Sequence, residues 1–209
     1  PGMWIGLVLL LFVIFAVMGI IPFAGSIATF VLSPVLGAGV FVAGRAADEG
    51  RALEVGQLFA GFRERFGTLL AVGGIYLGAA VVIALAVGLA IGVHVWSLMG
   101  GTMPDMATPA AALTVILGLL IMLALLLPVM MAVWFAPALV LFQGRGALEA
   151  MQESFFGCLK NIVPMLVYGV AALVLGVLAS IPFGLGWLVL GPVLAASLYV
   201  SYKDIFSAA

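Results

Sequence analysis

Apolar residues do not alternate with polar ones along this chain. They come in long blocks parted by short polar segments. A helix needs about 20 apolar residues to cross a bilayer. Met3 to Ile20, Ile27 to Gly44, Thr68 to Trp96, Ala110 to Phe142, Ile162 to Ile181 and Leu185 to Tyr202 each approach or exceed that length. Six spanning helices are therefore expected. Ile21-Pro22-Phe23-Ala24-Gly25 and Ile181-Pro182-Phe183-Gly184 separate two pairs of them. Proline lacks an amide donor and glycine is conformationally free, so both stretches predict tight turns. The Ala110–Phe142 block is longer than a bilayer requires, at roughly 50 Å if fully helical. It must tilt, project beyond the membrane, or kink at Pro128 and Pro137.

The polar segments have their own pattern. Arg45 to Gly56 reads as a charged loop. In Gln57 to Phe66, the residues Leu58, Phe59, Phe62 and Phe66 form one stripe, with Arg63, Glu64 and Arg65 off it. This is either a short amphipathic helix on the membrane surface or the cytoplasmic end of the next span. Gly144 to Lys160 repeats the loop and surface-helix pattern. Ser97 to Thr108 is a polar loop containing glycine and proline.

Parts of the chain echo one another. Pro34-Val35, Pro128-Val129 and Pro192-Val193 each precede an aromatic residue at the same spacing, namely Phe41, Phe135 and Tyr199. Gly50-Arg51-Ala52-Leu53-Glu54 resembles Gly144-Arg145-Gly146-Ala147-Leu148-Glu149. The expected fold is an all-α membrane protein. Its six helices form three degenerate hairpin repeats with short cytoplasmic amphipathic helices, the units spanning about 1–56, 57–147 and 148–209 of a single domain. Pro34, Pro128 and Pro192 are expected to kink their helices rather than end them. The chain starts at Pro1 without an initiator methionine, so upstream residues are expected, and they would supply the surface helix that the first unit lacks.

Composition agrees with the pattern. Hydrophobic residues make up 67% of the chain and charged residues 7%, against about 25% charged in soluble domains. Under the six-span topology all the cations, Arg45, Arg51, Arg63, Arg65, Arg145, Lys160 and Lys203, fall on one side. Basic residues near span ends stay in the cytoplasm, so both termini and both long charged segments are expected there. Trp96, at the opposite end of its span, fits an interfacial anchor. The formal net charge of −1 argues against a nucleic-acid partner. Gly74, Gly78, Ala84, Gly88 and Gly92 place small residues along the third span, and they are expected to pack against another helix of this chain.

Candidate chemistry is sparse. No charged residue lies near a span centre, which counts against proton- or sodium-coupled transport. His94 is the only histidine. Asp105 is the nearest acid on its side, which is too few ligands for a metal. His94 with Ser97 is the only local base and nucleophile pair, and no nucleophile-elbow pattern surrounds it. Cys158 is the single cysteine and excludes an internal disulfide; it reads as a small packed residue, with lipidation or reactivity as the alternative. Arg51 with Glu54 and Arg145 with Glu149 read as helix-entry charges, with a docking surface or lipid-headgroup contact as the alternative. No cofactor is expected.

Val133-Trp134-Phe135-Ala136-Pro137-Ala138-Leu139-Val140, Ser154-Phe155, Cys158-Leu159-Lys160-Asn161 and Tyr168-Gly169 resemble motifs of an uncharacterised family of proteobacterial inner-membrane proteins. The rhythm of surface helix, Lys-Asn and apolar span is more loosely similar to the six-helix anchor domains of some bacterial glycerophosphodiester phosphodiesterases. The resemblance implies a bacterial inner membrane and a six-helix bundle, and carries over no catalytic residue. Three hairpins with surface helices are also similar in architecture to mitochondrial carriers. Leu36, Met130 and Leu194 stand where that family has gate carboxylates, so the gate chemistry is absent.

The function expected from these readings is non-enzymatic: an accessory or scaffold subunit of a membrane assembly, or a lipid-interacting protein. Membrane lipids and other membrane subunits are the expected partners. The alternative is a transporter or lipid translocator with a groove between hairpins, for which a polar cavity lined by Ser33, Thr114, Ser180 or Ser197 would speak.

Overall fold

The structure is a computed structural model that describes residues 2–98 and 109–206, without the side chains of 93–95, 97, 98, 110 and 111. The polar loop expected at Ser97–Thr108, with Asp105, lies largely outside the described residues, as do the side chains of His94 and Ser97.

The described residues form helices α1 (Gly2–Ile20), α2 (Ala24–Asp48), α3 (Val55–Leu58), α4 (Ala60–Arg63), α5 (Phe66–Leu98), α6 (Pro109–Trp134), α7 (Ala136–Gln143), α8 (Ala147–Lys160), α9 (Ile162–Ser180) and α10 (Trp187–Phe206), with no strand among them. Six helical segments are long and apolar enough to cross a membrane: Gly2–Ile20, Ala24–Asp48, Phe66–Gly92, Ala112–Gln143, Ile162–Ser180 and Trp187–Phe206. They match the six blocks read from the sequence.

The middle of the bundle is α2. It packs against α1, α3, α4, α5, α7 and α10. Half of its spanning window (50%) is buried, against 6% for α1 and 11% for α9. Glycines make this possible. A side chain on Gly73 of α5 would strike the backbone of Val31 in α2, and one on Gly61 of α4 would strike the backbone of Val35. Gly39 of α2 rests on the backbone of Leu58, and Gly44 lies under the ring of Tyr199. Around these approaches sits the core of Val35, Phe41, Leu69, Val72, Phe135 and Leu139.

Three expectations change. First, the small residues expected to pack are the wrong ones. Gly74, Gly78, Gly88 and Gly92 meet nothing within 4 Å of an added side-chain carbon, and Ala84 is exposed. The contact falls one residue earlier, on Gly73, because 3.6 residues per turn put neighbours about 100° apart. Second, Gln57 to Phe66 is not one amphipathic helix, and only Phe66 belongs to the next span. It forms two single turns, α3 and α4, wedged under α2 with Leu58, Ala60 and Gly61 buried. Arg65, with φ 56°, separates them from α5. Third, helix α2 runs on through Arg45 to Asp48, so the charged loop is shorter than expected. Helices run on through Pro34, Pro128 and Pro192, and the one interruption within the fourth block falls at Phe135, beside Pro137.

Gly73 and Gly74 give a paired test. Gly73→Val should lower the thermal stability of the detergent-solubilised protein by several degrees, since overpacking against backbone costs about 1–3 kcal/mol. Gly74→Val should leave the melting temperature within a degree or so of wild type. Equal effects would contradict the placement of α5 on α2.

Candidate functional site: the polar end and the slot between α9 and α10

Side-chain contacts gather the charged segments at one end of the bundle. Lys203 of α10 meets Asp48 of α2 at 2.7 Å. Gln143, closing α7, donates from Nε2 to the Tyr202 hydroxyl at 3.3 Å. Arg45 lies 5.2 Å from the centroid of the Phe142 ring. Arg65 donates to the Gly144 carbonyl. Arg45 and Arg51 both grip Glu49, at 2.8 and 2.6 Å. Their hydrogen bonds hold its carboxyl below the usual carboxylate range. Arg145 pairs with Glu149 at 2.6 Å and Glu153 at 3.0 Å. These pairs are solvated, so each contributes little to stability. Arg63 and Lys160 have no ion-pair partner among the described residues.

Helix entry accounts for the two glutamates. The Glu54 amide donates to Gln57 Oε1 at 3.2 Å before α3. The Gly146 amide donates to Glu149 Oε2 at 3.3 Å before α8. The expected partnership of Arg51 with Glu54 is replaced by Arg51 with Glu49, which lies across the turn at Gly50.

The break at Phe135 shapes the rest of the site. A regular helix would bond the Phe135 amide to the Met131 carbonyl. Pro137 has no amide for Val133, and its ring crowds that turn. The hydroxyl of Ser154, from α8, enters the gap. It accepts from the Phe135 amide at 2.9 Å and donates to the Met131 carbonyl at 2.7 Å. Ser154 is fully buried, so both groups stay satisfied where water does not reach. Cys158, one turn later, also points its thiol at the Met131 carbonyl, at 3.5 Å. Burial pushes that thiol up to about 11. Cys158 is thus the packed residue the sequence reading favoured.

Three faces run along α8. Ala150, Met151, Ser154, Gly157 and Cys158 are buried against the bundle. Leu148, Phe156 and Leu159 form an exposed apolar strip. Glu149, Glu153 and Lys160 form a charged strip beside it.

Beyond the break, α9 leans on α10, and its start meets α8. Between the end of α6 and these two helices lies a cavity of about 290 Å³, lined among others by Trp134, Asn161, Met165, Tyr168, Ser201 and Asp204. Asn161, Pro164, Met165 and Tyr168 recur at helical spacing on α9, as do Ser197, Ser201 and Asp204 on α10. The Tyr168 hydroxyl and Ser197 Oγ are 2.9 Å apart and close the inner end. The stretch from Asn161 to Tyr168 covers about 10 Å of helix.

Of the hydroxyls expected to line a transport path, none lines this slot, and Ser197 meets it only through its contact with Tyr168. Ser33 bonds back to the Phe30 carbonyl at 3.1 Å. Ser180 donates to the Gly176 carbonyl and accepts from Trp187 Nε1. Thr114 borders a separate apolar cavity of about 350 Å³ between α5 and α6. Ser201 and Asp204 were not singled out as site residues from sequence, and Asn161 entered only through the Lys-Asn motif, although their spacing was there to read. No group of three or more potential metal ligands occurs among the described residues. Comparison of the chain with family models, curated proteins and solved structures returns no match.

Ser154→Ala should cost about 1–3 kcal/mol, the penalty for a buried donor and acceptor left unpaired. In the folded wild-type protein at pH 8, maleimide labelling of Cys158 should run roughly a hundredfold slower than for an exposed cysteine, and rise as pH climbs toward 11, because only the thiolate reacts. Rapid labelling of the native protein at pH 8 would contradict the buried contact with Met131.

Proposed function

We propose that this chain is a non-enzymatic, multi-pass protein of a bacterial inner membrane that acts by holding lipid at the cytoplasmic leaflet. In this reading its six spans form three hairpins, and the polar end with its cations faces the cytoplasm. The slot between α9 and α10 is the observation that carries it. One wall is polar and lies at the level of the charged end, while Met165 and Leu198 line it farther in. Such a shape suits a headgroup above and a chain below. The three faces of α8 support the same picture: one strip for the protein, one for acyl chains and one for water. The family resemblance of the Val133–Val140 and Cys158–Asn161 segments belongs to this reading, since it points to the same membrane.

A scaffold role is the second reading. It is favoured by the α5 face of Gly74, Gly78, Gly88 and Gly92, which is open to close approach by another subunit. A translocator is less well supported. The polar track closes at Tyr168 and Ser197, about 10 Å along a span that must cross roughly 30 Å.

Purification in a mild detergent followed by native mass spectrometry tests the proposal. Phospholipid should remain bound in whole-number ratio to the chain, and filling the slot with Ser201→Trp should remove at least one. Lipid-free protein that is stable and carries a defined partner subunit would favour the scaffold reading instead.

A further inference from the structure

Two charges near the slot have no opposite partner among the described residues. Asp204 lines the slot and makes no ion pair; the neighbouring Lys203, which feels its charge, is already held by Asp48. Lys160 lines an adjoining cavity of about 450 Å³ and pairs with no anion. Asn161 and Ile205 border both cavities, so the two are compartments of one groove around the junction of α8 and α9. The other carboxylates in the second compartment, Glu149 and Glu153, are already held by Arg145. The groove therefore offers one free anion and one free cation on either side of Asn161. A ligand that answers both carries a cation and an anion in one short unit.

The surroundings narrow the chemistry. At the Asp204 compartment, the carboxylate and the Ser201 hydroxyl are acceptors, so a cation with N–H donors is favoured. A quaternary ammonium is held by several aromatic faces together. Trp134, Phe135 and Tyr168 all line this cavity, but Phe135 is fully buried, and the carboxylate and hydroxyl acceptors reward N–H donors that a quaternary ammonium lacks. At the other compartment, Lys160 and the second N–H of Asn161 Nδ2 suit phosphate oxygens; the first N–H bonds the Gly157 carbonyl at 2.9 Å. Met165 and Leu198 line the Asp204 compartment farther along α9 and α10, fit for a hydrocarbon chain.

From this arrangement we propose that the groove selects a zwitterionic phospholipid with a primary amine. The ammonium sits at Asp204 and Ser201, the phosphate at Lys160 and Asn161, and the acyl chain descends between α9 and α10. This rests on the lipid-holding function proposed above and specifies its headgroup. The same aminoalkyl phosphate chemistry occurs in a free soluble form. The apolar lower part of the slot assigns the lipid form.

The test uses the full chain in mixed micelles holding equal amounts of phosphatidylethanolamine, phosphatidylcholine and phosphatidylglycerol, with bound lipid read by native mass spectrometry. Wild type should retain phosphatidylethanolamine about tenfold over phosphatidylcholine. Asp204→Asn should erase that preference. Lys160→Gln should weaken both zwitterionic lipids alike. Both substituted residues are exposed, and melting curves check that the variants fold. Equal retention of the three lipids by wild type would overturn the headgroup assignment while leaving lipid binding intact. A preference that survives Asp204→Asn would overturn it as well. Displacement of the lipid by millimolar soluble phosphoethanolamine would assign the groove to the free form. Retention of no lipid at all would defeat the underlying function too.

Discussion

Everything in this structure is hung on the close approach of backbones around α2. In a lipid environment, burying leucine against leucine gains little over leaving it in acyl chains, so helices associate through tight contact and satisfied polar groups. Gly73 and Gly61 bring α5 and α4 onto the backbone of α2, and Gly39 and Gly44 let α3 and Tyr199 of α10 reach it from other sides. The core aromatics follow from that geometry. Phe41 of α2 packs on Phe135 and edge-on to Tyr202, with ring centroids 6.5 and 5.9 Å apart. Helices α1 and α9 remain at the periphery with most of their side chains outward.

The second constraint is electrostatic. An amide or carbonyl left unpaired in an apolar interior costs several kcal/mol. The broken helix at Phe135 would carry both, and Ser154 relieves both with one hydroxyl. That single contact fixes α8 against the break. It also positions the end of α8, and with it Asn161 and the start of α9. The slot is the space left when α9 is held by its two neighbours, α8 and α10. Packing of one buried serine thus sets the geometry of a site that combines polar chemistry with an apolar lining.

Much of this was legible in the sequence, and the limits have physical causes. Span positions could be read because apolar length is a direct consequence of membrane thickness. The amphipathic helix α8 could be read because its charged residues recur with helical period. The inward face of α5 could not, because a helix that is apolar all round carries no asymmetry to tell Gly73 from Gly74. Pro137 was legible as one of two kink positions in the fourth block, with nothing to separate it from Pro128. Pro34, Pro128 and Pro192 are absorbed within their helices, whereas the break beside Pro137 depends on Ser154, a residue nearly twenty positions away. The wedge formed by α3 and α4 was mistaken for a surface helix because its phenylalanine stripe is real, while the glycines that tuck it under α2 give no periodic signal. The slot was missed because it is a gap between helices; its residues were visible only as two short polar stripes, on α9 and α10.

The central claim is that α2 is enclosed by protein while α9 is bathed by lipid. Nitroxide labels on single cysteines, introduced with Cys158 replaced by alanine and the protein reconstituted in bilayers, test it most directly through collisional access to oxygen and to a water-soluble nickel chelate. Labels at Val167 and Val170 on α9 should be open to oxygen and closed to nickel, and a label at Ala43 on α2 should be closed to both. Access of nickel to α9, or of oxygen to α2 at the level found on α9, would contradict the account.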